Sequence, residues 1–144
     1  MTRDEANNAS DGTTDGTPAE TQSRKFQREL AAGLTALVLL SVLADADDDL
    51  YGYEIARRLT SDDAPAAPFK QGALYPVLRN MSGAGLLTSR VVPSYSGPPR
   101  RYYRITPLGR EVLAAWRDTW LSTRAFVDTI VAPSPSSAAQ EMPS

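Results

Sequence analysis

Between residues 26 and 44 the apolar positions broaden from a stripe at Leu30, Leu34, Leu37 and Val38 into a nearly continuous surface at 40–43. That pattern predicts a first helix buried on several sides. An acidic stretch follows, and Asp48 or Asp49 is positioned to cap a second helix whose apolar residues Tyr51, Ile55 and Leu59 recur every four positions. Arg57 and Arg58 fall off that stripe. Beyond a loop broken by Pro65 and Pro68, a third helix is expected from Gln71 or Gly72, with Pro76 tolerated in its first turn. Its core side is Leu74, Leu78 and Met81, and Gly83 and Gly85 end it. Residues 86–92 and 100–105 are β-prone runs joined by a tip rich in Pro, Ser and Gly, the signature of a long-tipped hairpin. Thr106 and Pro107, a cap and a first-turn proline, open a final helix reaching about Val131.

Helix, helix, helix, hairpin, helix is the order of a mainly α fold with a β-hairpin wing: a winged helix-turn-helix plus a C-terminal dimerisation helix. The expected division is a disordered tail at 1–25, a winged-helix domain at 26–106, the dimerisation helix at 107–131 and a second disordered tail at 132–144. Both tails lack the periodic apolar pattern that offsets the entropy of ordering a chain. Repeats are absent from the sequence.

Composition narrows the chemistry. The 144 residues include neither cysteine nor histidine. Disulfides, thiol nucleophiles, thiolate zinc sites and histidine-based acid/base pairs are thereby excluded. The one dense carboxylate cluster, Asp45, Asp47, Asp48 and Asp49, fails as a calcium loop because Leu50 and Ala56 stand where glycine and glutamate are required. No enzyme, metal site or cofactor is expected. The N-terminus carries Arg3 as its only basic residue before position 21 and lacks a secretory order. The longest apolar run, 31–44, is shorter than the roughly 20 residues that span a bilayer. A cytoplasmic protein without a membrane partner is expected.

Net charge is −2, from 15 Lys and Arg against 17 Asp and Glu, and it hides a strong polarity. From Lys70 to Arg110 there are seven cations, Lys70, Arg79, Arg90, Arg100, Arg101, Arg104 and Arg110, and no acid. This segment holds the third helix and the hairpin, the two elements that a winged helix presents to DNA. Cations meeting phosphates release condensed counterions, so a local cluster drives binding despite an acidic chain.

Four ordered motifs carry a resemblance. Leu50-Tyr51-Gly52-Tyr53-Glu54-Ile55, Gly72-Ala73-Leu74-Tyr75-Pro76-Val77-Leu78, Gly85-Leu86-Leu87, and the stretch from Gly97 through Arg100-Arg101-Tyr102-Tyr103-Arg104-Ile105-Thr106 to Gly109 resemble the PadR family of transcriptional regulators. The resemblance implies a dimeric winged-helix repressor released from DNA by small toxic molecules such as phenolic acids or drugs. The single short C-terminal helix is similar to the smaller branch of that family. Ala73 departs from the family's usual threonine and removes one hydroxyl from the reading helix.

On the third helix, Lys70, Gln71, Ala73, Tyr75, Arg79 and Asn80 lie off the core stripe and are the candidate DNA-facing residues. Gln71 and Asn80 suit paired hydrogen bonds to adenine, Lys70 and Arg79 phosphate contacts. Tyr75 has packing against the second helix as its alternative. In the second strand, alternation places Arg100, Tyr102 and Arg104 on one face and Arg101, Tyr103 and Ile105 on the other, with Tyr103 and Ile105 toward the core. Tyr95, Ser96, Arg100 and Arg101 are the candidate wing contacts, while Arg104 and Arg110 suit exposed structural roles equally well.

The final helix carries Leu113, Trp116, Trp120, Thr123, Val127 and Ile130 at alternating spacings of three and four, a seam that needs a partner helix. Trp116 and Trp120 serve either as dimer core or as a surface that stacks a flat ligand. The resemblance implies the second role for Trp120, which matches a tryptophan lining a pore between subunits in multidrug-responsive relatives. The expected function is therefore a sequence-specific regulator of a double-stranded DNA operator, a homodimer responsive to a small aromatic effector. The competing reading is a winged-helix module for protein assembly, binding neither DNA nor ligand, for which a basic face has no use.

Overall fold

The computed structural model describes residues 16–59 and 69–132. The expectations of disorder at 1–15 and 133–144, and the proline-broken loop at 60–68, lie outside them. Seven elements follow in order: α1 (Pro18–Asp45), β1 (Leu50–Tyr51), α2 (Gly52–Leu59), α3 (Gln71–Gly83), β2 (Leu87–Val92), β3 (Arg100–Ile105) and α4 (Pro107–Val131). The fold class is as expected, mainly helical with a winged hairpin, and the sheet has one strand more than the hairpin.

Helix α1 starts eight residues before Phe26, so residues 18–25 are helical, where a disordered tail was expected. The reason is local. Thr17 Oγ1 accepts the Glu20 amide at 3.1 Å and Pro18 occupies the first turn, so the helix is capped without tertiary packing. Residues 16–30 are exposed throughout. Only the C-terminal half of α1 is a core helix: Leu39, Leu40 and Leu43 pack with Ile55 of α2, Leu74, Leu78 and Met81 of α3, Tyr103 and Ile105 of β3 and Leu113 of α4. By length and composition alone α1 passes as a membrane span, but these contacts place its apolar half in the domain core. Leu39, Leu40, Ile55 and Leu78 have essentially no exposure, and each such burial stabilises by about 1.5 to 3 kcal/mol.

The α1–α2 connection corrects the sequence expectation. Neither Asp48 nor Asp49 caps α2, which begins at Gly52; Leu50 and Tyr51 instead form a short strand. Leu50 pairs with Tyr103, and Tyr51 with Tyr102. The Glu54 carboxylate accepts the Tyr51 amide at 3.2 Å, half of a capping box. Leu50 takes the core position expected of Tyr51, which is half-buried with its ring beside that of Tyr102, 5.5 Å between centroids.

Helix α3 ends in a Schellman arrangement, with the Leu86 amide donating to the Met81 carbonyl at 2.9 Å and Gly85 to Ser82 at 3.1 Å. Gly85 sits at φ +84°, where a side chain would be strained. The sheet order is β1-β3-β2, all antiparallel. Thr106 closes it onto α4: its hydroxyl donates to the Gly85 carbonyl at 2.7 Å and accepts the Gly109 amide at 2.9 Å. A Cβ on Gly109 would strike the Leu86 carbonyl oxygen, so only glycine lets α4 come this close to the end of the wing.

Candidate nucleic-acid interface

Helix α3 buries Leu74, Leu78 and Met81, as the stripe predicts, and exposes Lys70, Ala73, Arg79 and Asn80. Gln71 opens the helix, and its side chain lies outside the described residues. Tyr75 is half-buried; its ring lies against Gly52 at the start of α2, so of its two expected roles packing is met.

Register fixes the wing. Ser89 pairs with Tyr103 and Val91 with Arg101, so these four share the face toward α3, while Arg90, Tyr102, Tyr51 and Arg104 share the opposite face. Tyr103 and Ile105 are core, as expected. Arg101 donates to Ser89 Oγ at 3.1 Å and so holds its guanidinium on the inner face. The Arg100 guanidinium lies 4.6 Å from the Tyr51 ring centroid, a cation–π contact that fixes it near the base of the tip. Tyr95 and Ser96 form the exposed turn of the wing.

Between α3 and the wing lies an open groove of about 630 Å³. Tyr75 and Arg79 from α3, Arg101 from β3 and Ser89 from β2 line it, Gly52 and Tyr53 close one side, and Arg100 and Tyr51, which the register places on the opposite face of the sheet, also border it. Of the residues expected from the sequence, the groove collects Tyr75, Arg79, Arg100 and Arg101; Lys70, Ala73, Asn80, Tyr95 and Ser96 are exposed outside it. Its lining holds three arginines and no carboxylate. Tyr103 at its floor keeps its proton above the ordinary value of 10.0 because burial penalises the phenolate, although Arg101 and Arg79 nearby act in the opposite sense. Sequence reasoning missed Tyr51, Tyr53, Ser82 and Ser89. Tyr53 alone carried a signal, standing off the α2 stripe.

A second hollow, about 460 Å³, lies between α1 and α4. Trp116 and Trp120 line it with Leu30, Leu34 and Leu37, and Glu29 is its one charged lining residue. Beyond Trp120 the seam faces solvent: Val127 and Ile130 are exposed, and so are Leu121, Phe126 and Val131 beside them. The described residues hold no cluster of acids able to bind a metal ion.

Residues 39–115, spanning the last quarter of α1, the groove and the start of α4, match the model of the transcriptional regulator PadR-like family. The chain belongs to the PadR-like family of transcriptional regulators. Transcriptional regulator Rv3488 of Mycobacterium tuberculosis is 38% identical over 93 residues, which is 62% of this chain and 75% of that one. A PadR family transcriptional regulator from Eggerthella lenta superimposes with a TM-score of 0.67 at 27% identity, over 81% of this chain and 97% of that one. A transcriptional regulator from Clostridium thermocellum does so with a TM-score of 0.64 at 25% identity, over 72% and 98%. PadR regulators are DNA-binding transcription factors, not a class of enzymes.

Proposed function

We propose that this PadR-like regulator is a cytoplasmic dimeric repressor that holds double-stranded operator DNA with α3 and the wing, and lets go when a small aromatic or drug-like molecule enters between α1 and α4. The observation that carries the DNA reading is the groove itself, where Arg79, Arg100 and Arg101 come together from elements far apart in sequence with no acid among them. Arg79 and Lys70 serve as phosphate ligands, Gln71 and Asn80 as base readers, and Ala73 and Tyr75 shape the helix surface against the groove. Arg100 and Arg101, with Tyr95 and Ser96, carry the wing to the flanking backbone.

The dimer reading is supported by the exposed apolar end of α4, a face with no described partner inside one copy. Trp116 and Trp120 form the wall of the effector site, where indole faces stack a planar ring and the leucines of α1 exclude water. The test is selection from a random duplex pool with purified protein, followed by sequencing of the bound fraction. A recurrent two-fold related sequence is expected. Recovery of unselected sequence would remove the sequence-specific part of this reading.

A further inference from the structure

Three parts of the chain meet at the base of the wing. Asp49, in the turn after α1, accepts Arg90 Nε of β2 on one carboxylate oxygen at 2.8 Å and Arg104 Nε of β3 on the other. The Asp49 side chain is only 11% exposed, against 62% and 63% for the two arginines. The pairing of Arg90 with Tyr102, next to the pairing of Thr88 with Arg104, makes the two arginines diagonal neighbours on the outer face. Like charges so placed repel unless a carboxylate stands between them. Arg90 also lies 5.2 Å from the Tyr102 ring centroid, which fixes its orientation. Held by the guanidinium groups of Arg90 and then Arg104, the Asp49 carboxyl stays ionised below its ordinary pKa of 3.8. The Arg124–Asp128 pair lies within α4, and among the described residues Asp49 is the acid that ties the wing to the rest of the domain by charge.

The wing needs such a tie. The third strand reaches only Tyr102 and Tyr103, and the hairpin beyond it, including Arg100 and Arg101, is a two-stranded ribbon. Two-stranded ribbons are marginal alone and vary widely in twist. The angle at which the ribbon leaves the base therefore decides where its cations sit.

We propose that Asp49 is a positioning residue for DNA binding: by clamping Arg90 and Arg104 it sets the angle of the wing against α3, and with it the placement of Arg100 and Arg101 on the backbone. Asp49 itself lies outside the groove and touches no DNA. The inference rests on the DNA-binding reading above.

The test compares wild type, Asp49→Asn and Asp49→Glu on two duplexes bearing the selected sequence, one trimmed to the part under α3 and one extended by flanking base pairs. Wild type is expected to gain affinity from the flanks. Asp49→Asn is expected to lose most of that gain, about tenfold in affinity, with a salt slope shallower by about one unit on the long duplex and unchanged binding to the trimmed one. Asp49→Glu restores the gain. Because both arginines are largely exposed and Asn keeps the shape of the Asp49 side chain, the thermal midpoint of Asp49→Asn should stay close to wild type. An Asp49→Asn protein that keeps the full gain from the flanks overturns the proposal, as does one that binds more tightly because freed arginines reach phosphate. A wild type with no salt-dependent duplex binding would sink the DNA-binding reading itself, and the proposal with it.

Discussion

The edge of the Tyr75 ring lies against Gly52, so that α3 docks onto the first turn of α2 through one aromatic side chain and one absent one. A Cβ at Gly52 would overlap the ring edge, and the phenol oxygen stands 3.1 Å from the same point. Gly52→Ala is expected to destabilise the domain by about 1 to 3 kcal/mol, the usual cost of overpacking. Chemical denaturation measures it. In Gly52→Ala with Tyr75→Ala the second change should cost less than it does alone, because the clash is then gone; strictly additive losses would show that the ring and the glycine are not coupled.

Burial of Tyr103 gives an alkaline signature. Its folded-state pKa is raised above 10.0, so its contribution is fully present below that value and is lost as pH rises through the folded pKa, while the unfolded chain ionises freely. Unfolding free energy measured at about pH 8 and about pH 11 should fall between the two, and Tyr103→Phe should flatten that fall. A fall of equal size in the variant would assign it to other tyrosines.

Most of the architecture was legible because it depends on short-range chemistry that a single sequence displays. The α3 stripe, the Gly85 cap, the Thr106 and Pro107 helix start and the inward Tyr103 and Ile105 follow from periodicity and capping alone. What was missed depends on register. Two residues suffice for β1, too few for any alternating pattern, and so Tyr51 read as part of a helix that begins one residue later. Asp49 read as a cap because its real partners, Arg90 and Arg104, are 41 and 55 positions away. The helical start of α1 escapes a periodicity reading for a different reason: Thr17 and Pro18 set it locally, and no apolar stripe marks its first turns.

The exposed end of α4 should hold a second copy of the chain. Ultracentrifugation of the wild type is expected to give a dimer at micromolar concentration, and Val127→Asp with Ile130→Asp a monomer, since a charge in an apolar seam without a partner is costly. A wild-type monomer under those conditions would remove the dimer and any pore between subunits together.

Effector binding has its own readout. Titration with a panel of phenolic and cationic aromatic compounds should quench tryptophan fluorescence, and the quenching should weaken in Trp120→Ala, with DNA affinity falling in parallel in the wild type. The coupling expected is about 1 to 3 kcal/mol, because a ligand shifts two dimer shapes only by its differential affinity for them. Quenching with unchanged DNA affinity would leave the hollow as a binding site without control over the operator.

The most direct test of the central claim, that α3 and the wing grip duplex DNA across the arginine groove, is the salt dependence of binding to the selected duplex. For wild type, log K should fall linearly with log salt concentration, and Arg79→Ala, Arg100→Ala and Arg101→Ala should each reduce the slope by about one unit, the loss of one phosphate contact. Three variants with wild-type slopes and affinities would contradict the account, because the groove would then be surface charge without a partner.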